Sequence, residues 1–181
     1  MIAKGESLRL TLRQREGRAI NAVAELLRRT LSVPNIYLAP PPSLIAADVL
    51  AVDRGGAGDL HAVVIKLSET TVAGVLDPLK ARQGMVKSAQ RQIMSMPAHF
   101  RYLAISAEDF DALHEKLSNL GLYAEDGIGR VGIVLIAEKG VESPTAKVAF
   151  APERFRVDPA KLSTIETKLL AKSRPDIEVR I

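Results

Sequence analysis

The chain has no cysteine and no tryptophan, and Phe, Trp and Tyr together make up only 4% of its 181 residues. The first absence excludes disulfides, thiolate metal sites and a cysteine nucleophile. The shortage of aromatics leaves aliphatic packing to build the core, and removes the platform on which single-stranded bases would stack. No apolar run approaches the length of a bilayer-spanning helix, and the N-terminal stretch MIAKGESLRLTLRQREGR has no hydrophobic signal core. The expectation is a cytoplasmic protein with no membrane partner. One further absence is local: residues 78–107 contain neither Asp nor Glu.

What is present is ordinary for a folded domain, with 47% apolar and 25% charged residues. The length suits a single domain covering residues 1–181. A net charge of +4 and a pI near 9.5 are compatible with a polyanionic partner without requiring one.

Leu8, Leu10 and Leu12 alternate with polar residues, which reads as a short first strand. From about Gln14 to Leu31 the period becomes helical, with Ile20, Val23, Ala24, Leu27 and Leu31 on one stripe and Arg13, Arg18, Arg28 and Arg29 off it. A brief strand over 35–39 precedes the proline triplet 40–42. Leu44–Val52 is apolar except for Asp48. Glycines at 55, 56 and 58 mark a tight turn rather than a phosphate cradle, since they precede a strand instead of opening a helix. A strand over 60–67 should therefore pair antiparallel with the segment before the turn. A helix from about 77 to 96 opens on Pro78, a strand covers 100–105, and Ser106 with Asp109 forms a variant capping box for the next helix. Val131–Ala137 is a strand, 147–150 a further candidate, and Asp158-Pro159 starts a last helix carrying Leu162, Ile165 and Leu169 on one face. The fold class is α/β, a mixed sheet flanked by helices, with a core over about 14–137 and an extension over 138–181.

The order helix, strand, strand, strand, helix, strand, with Asp48 in ADVLAVD and Lys66 in VVIK on paired strands, resembles the PD-(D/E)XK restriction-endonuclease-like superfamily. The run GIGRVGI over 127–133 also resembles the start of a strand in some relatives. The resemblance implies metal-assisted phosphodiester hydrolysis. Asp48 would be the metal-binding acid, Mg²⁺ the cofactor, and Lys66 would position the attacking water or stabilise charge on phosphate oxygens.

This sequence departs from the pattern where the second acid belongs. That position, two residues before the lysine and on the same side of the strand, is Val64, and the usual proline before the first acid is Ala47. The helix after the lysine strand offers no replacement because it contains no acid. The remaining candidates are Asp53, Asp59, Glu69 and Glu25. Glu25 resembles the first-helix glutamate of some relatives and is the leading replacement, although an ion pair with Arg29 four residues on explains it without catalysis and is the better account.

A second signal is the acid-free helix. Lys80, Gln83, Lys87, Gln90 and Arg91 form a polar and basic face able to meet phosphates, or simply a solvated surface. His61, His99 and His114 make no metal-ligand spacing. The functional expectation is a nuclease-like protein that binds nucleic acid, DNA more readily than RNA, with a degenerate centre. The alternatives are an active Mg²⁺-dependent nuclease with a displaced carboxylate, and a structural or partner-binding protein. A homodimer is compatible with the sequence.

Overall fold

Helical spacing extends further toward the N-terminus than the leucine alternation suggests. In the computed structural model the first helix, α1, runs Lys4–Thr30, and no strand precedes it among the described residues. Leu8 and Leu12 are four apart and continue through 16 and 20 onto the stripe of Ile20, so two of the three leucines also satisfy the helical period. A helix already nucleated over 14–30 grows cheaply, whereas an isolated five-residue strand has no partner. The structure describes residues 4–32, 34–55, 58–68, 78–119, 131–137 and 143–172, without the side chains of 4–12, 78–81, 116, 118 and 170–172.

The remaining elements are β1 (Pro34–Leu38), β2 (Val49–Asp53), β3 (Asp59–Lys66), α2 (Pro78–Ser95), β4 (Phe100–Ser106), α3 (Ala107–Asn119), β5 (Gly132–Ala137), β6 (Thr145–Phe150) and α4 (Pro159–Lys172). The six strands form one mixed sheet in sequence order, β1 through β6. β1–β2, β2–β3 and β5–β6 pair antiparallel, and β3–β4 and β4–β5 pair parallel. The expected α-β-β-β-α-β order is thus present from α1 to β4. At the β2–β3 turn Gly58 has φ of 74°, the left-handed conformation glycine adopts without strain, and the Gly55 amide donates to Asp53 Oδ1 at 3.0 Å.

Alternation along the strands splits the core between two faces. Val49, Ala51, Val63 and Ile65 join Ala19, Val23, Ala24 and Leu27 of α1 on one side. On the other, Leu50, Val52, Ala62 and Val64 join Val86, Ala89 and Ile93 of α2, Leu113 and Leu117 of α3, and Ile165 and Leu169 of α4. The C-terminal extension therefore belongs to the same packed unit. It is also strapped to the sheet by the segment before α4. The Phe155 amide donates to the His99 carbonyl at 2.7 Å, Arg154 Nη2 donates to Asp59 Oδ1 at 2.7 Å, and the Arg101 guanidinium lies 4.0 Å over the Phe155 ring. Gly132 opens β5 where a Cβ would come within 2.6 Å of Tyr102 and 2.9 Å of Pro152, so no other residue fits without displacing them. The rest of the glycine run, residues 127–130, lies outside the described residues.

Candidate active site at the end of the sheet

Asp48 sits where the chain comes out of the proline loop into β2. The loop is held by Ile45 and Ala47, both buried, and by Gln92 of α2, whose Nε2 donates to the Ala46 carbonyl at 2.6 Å. The backbone of Asp48 bridges both neighbouring strands: its amide donates to the Val63 carbonyl at 2.9 Å, and its carbonyl accepts from the Ala39 amide at 2.8 Å. Regular β2–β3 pairing ends at Val49 opposite Val63. The Ile65 amide consequently has no strand partner from β2, and Asp48 Oδ2 accepts it at 2.6 Å. One carboxylate oxygen thus completes the ladder.

Lys66 is the last residue of β3. Alternation sends it off the same side of the strand as Val64, but the two have different surroundings. Val64 is fully buried in the core beneath α2, whereas Lys66 ends the strand and is half-buried at the rim of the sheet. There Asp48, Ile65, Lys66 and Leu67 meet Glu16 and Ile20 of α1 around a cavity of about 170 Å³. The sequence-derived pair, Asp48 and Lys66, is therefore brought together at one site.

The acid that joins them is Glu16, not Glu25. Helical geometry is the reason. Glu16 precedes Ile20 by one turn and, although exposed, borders the cavity beside it at the end of the stripe that Ile20, Val23 and Leu27 follow. Glu25 faces away, where Oε1 takes a 2.9 Å bond from Arg29 Nε and Oε2 lies 3.8 Å from Arg28 Nη1. Of the other acids considered, Asp53 accepts from the turn, Asp59 is bound to Arg154, and Glu69 lies outside the described residues.

Burial raises the carboxyl pKa of Asp48, and the Ile65 hydrogen bond and the Lys66 charge only partly offset it. Glu16 is raised for the same reason and additionally by the Asp48 charge, against the pull of Lys66, Arg13 and Arg15. The Asp48 charge disfavours ionisation of Glu16, an effect that a cation nearby would relieve. Mg²⁺ commonly binds through one or two protein carboxylates and keeps several waters for the rest of its octahedron. The donors present fit that pattern. Among the described residues no group of three or more His, Asp or Glu side chains could hold a metal.

A polar network fixes the strand end beyond Lys66. Buried Asp109 accepts from the Ser68 amide at 3.3 Å and from Ser68 Oγ at 2.8 Å, and pairs with Arg82 of α2 at 3.0 Å. The Ser68 carbonyl accepts from Arg15 of α1 at 3.1 Å. The Asp109 amide donates to Ser106 Oγ at 3.0 Å, which is the expected cap of α3. Beyond the capping role legible in the sequence, the Asp109 side chain ties α3 and α2 to Ser68, just past β3, and Arg15 brings α1 to the same residue.

The basic residues of α2 lie elsewhere. Lys87 and Arg91 are exposed and Gln83 and Gln90 half-buried, on the helix layer across the sheet from α1, and none lines the cavity. The side chain of Lys80 lies outside the described residues.

The charge state of Asp48 yields a stability prediction. A carboxyl whose folded pKa exceeds its unfolded value favours the fold below the unfolded pKa and loses that stabilisation as pH rises through the folded one. At pH 7 its ionised form therefore weakens the fold. Asp48→Asn removes the charge and keeps an oxygen for Ile65, so its melting temperature at pH 7 should equal or exceed the parent's. Asp48→Ala strands the amide and should lose about 1–3 kcal/mol in urea unfolding.

No protein-family model and no curated protein matches the chain. Among solved structures, the chain is similar to SPO1766, a protein of unknown function from Silicibacter pomeroyi. The two are 15% identical with a TM-score of 0.48, over 83% of this chain and 80% of that one. Among the described residues no helix is long and apolar enough to cross a membrane.

Proposed function

We propose that the chain is a metal-dependent phosphodiester hydrolase acting on nucleic acid, DNA in the first instance, whose second acid comes from α1. The observation that carries this reading is that Glu16, Asp48 and Lys66 line one cavity. Glu16 and Asp48 would be the residues to hold Mg²⁺, which when bound would supply charge stabilisation to a phosphate oxygen and a lowered pKa to water. Asp48 is held at the cavity wall by the bond that its Oδ2 accepts from the Ile65 amide. Glu16 is delivered on a rigid helix. Lys66 supplies a positive charge for the oxygens that become more negative in the transition state, and Arg13 and Arg15 add a positive field around Glu16. Lys87 and Arg91 would hold flanking phosphates of a duplex that passes over the strand ends.

The test is nicking of supercoiled DNA at low salt with Mg²⁺ or Mn²⁺. The parent should cleave and EDTA should stop it. Glu16→Gln, Asp48→Asn and Lys66→Met should each lose about 100-fold or more, whereas Glu25→Gln should retain activity. No cleavage by the parent under any of these conditions, or full activity in Glu16→Gln, sinks the reading. A binding protein without turnover is the second reading, favoured by Val64 at the customary acid position and by the structural duty of Asp48 toward Ile65. It expects salt-sensitive DNA binding, no cleavage, and weaker binding when Lys87 and Arg91 are both replaced by Ala.

A further inference from the structure

The strand that carries Lys66 does not end freely. Two positions past it, Ser68 has each of its polar groups engaged. Its amide donates to Asp109 Oδ2 at 3.3 Å and its hydroxyl to Oδ1 at 2.8 Å, while its carbonyl accepts from Arg15 Nη1 at 3.1 Å. The topology explains the meeting. β4 runs parallel beside β3 with Lys66 opposite Ile105, and α3 starts directly after β4, so the first turn of α3 is carried to the level of Ser68. Arg15 comes from α1, where it is the neighbour of Glu16. One residue therefore fastens the end of β3 both to α3 and to the part of α1 that borders the cavity.

Asp109 does not border that cavity, and its surroundings are costly for a charge. Its side chain is 1% exposed and pairs with Arg82 of α2 at 3.0 Å. A buried carboxylate loses its hydration, and a guanidinium partner offsets that loss only with good geometry and further hydrogen bonds. Capping does not require the burial. Ser106 Oγ already takes the Asp109 amide, and an acid in the first turn of a helix favours the dipole from the surface as well. What the buried position adds is the pair of bonds to Ser68.

On the reading of Glu16, Asp48 and Lys66 as the reacting centre, on which this inference rests, we propose that Asp109 is a positioning residue for that centre. Through Ser68 it fixes where Lys66 leaves the strand, and through the Ser68 carbonyl and Arg15 it sets how closely α1 brings Glu16 to Asp48. Glu16 is exposed, so packing alone does not place it; the anchored residue beside it does. A displacement of about 1 Å in such a constellation costs up to about 100-fold in rate.

Ser68→Ala and Asp109→Asn test it, with Ser68→Thr, which keeps the hydroxyl, as the conservative control. In nicking of supercoiled DNA with Mg²⁺, Ser68→Ala should lower kcat about tenfold and Asp109→Asn about 100-fold, with KM for DNA unchanged. Ser68→Thr should cleave like the parent. A second readout needs no activity. The methyl NMR signals of Ile20 on α1 and Ile65 on β3, which both line the cavity, should shift in Ser68→Ala, whereas those of Leu60 at the far end of β3 should not. The proposal is overturned if Ser68→Ala leaves kcat and both cavity methyls as in the parent. It is equally overturned if activity falls only in step with the melting temperature while those methyls stay in place. Should Asp109→Asn fail to fold, Ser68→Ala decides. A parent that does not cleave DNA sinks the phosphodiesterase reading by itself; shifted cavity methyls would then still support the role of Asp109, and unmoved ones would overturn it.

Discussion

Val64→Glu should lose about 3–5 kcal/mol of folding stability rather than acquire a better metal site. Restoring the acid two residues before Lys66 is the obvious repair when the strand is considered alone. The fold forbids it at that position. Val64 is fully buried, pairs in register with Leu103, and belongs to the apolar cluster that includes Leu50, Ile105, Val86 and Ala89. A carboxylate there would either ionise without water or remain protonated far above its usual range. Against a typical total of roughly 5–15 kcal/mol, that loss brings the chain close to unfolding. Urea denaturation at pH 7 checks it. A Val64→Glu variant as stable as the parent would mean that the side chain escapes to solvent and that the covering by α2 is looser than described. Glu16 does not share that enclosure, since α1 packs on the other face of the sheet and Glu16 borders the cavity at the strand end.

Stability should fall by about 3 kcal/mol as pH drops from 6.5 to 4, with His61 as the main cause. His61 is buried, its ring stacks on Phe100 at 4.6 Å, and its Nδ1 lies 3.2 Å from the Tyr102 hydroxyl. Burial pushes its pKa from 6.5 down to about 4, and the nearby Asp53 and Asp59 charges only partly offset that. Burial also pushes the Tyr102 phenol up to about 12, so the hydroxyl keeps its proton beside the neutral imidazole. Between pH 6.5 and 4 the unfolded chain binds a proton that the folded chain refuses. Stability is therefore fully present above 6.5 and is lost as pH falls through that window. His99 acts in the same sense, its pKa lowered by burial, with Nδ1 accepting from the Leu60 amide at 3.0 Å. Asp59, lowered mainly by its hydrogen bond from Arg154, adds a loss at still lower pH. Glu16 and Asp48 work in the opposite direction, because protonation relieves them. Urea midpoints at pH 7.5, 6, 5 and 4 read the slope, and His61→Asn should flatten it. A parent whose midpoint is constant from 7.5 to 4 would contradict the burial assigned to His61.

Much of this molecule could be read from spacing. The antiparallel hairpin around Gly58, the helix opening on Pro78, the cap at Ser106 and the helix after Asp158 each follow from local geometry, and local geometry is what a linear pattern encodes. Glu16 had a weaker signal: it lies one turn before Ile20, but as an exposed glutamate its spacing alone does not bring it to Asp48 and Lys66. Glu25 attracts notice by family likeness, while its phase on the helix sends it to the outside. The N-terminal leucines mislead because Leu8 and Leu12 satisfy two periods at once. Other features had no signal in the sequence. Ser68 and Asp109 are 41 positions apart, and Arg154 and Asp59 are 95 apart; only the completed sheet brings them together. The exposed face of α2 was visible as a pattern, but not its location across the sheet from the cavity.

Glu16 and Arg18 are two positions apart on α1, yet one borders the cavity at the strand ends and the other a cleft between α1 and the start of β6. Each residue advances an α-helix by about 100°, so inserting or deleting a single residue between them would rotate one set of side chains out of place whichever set stayed docked. Phase along this helix, more than the identity of any one side chain, is what the two cavities bordered by a single rod have in common.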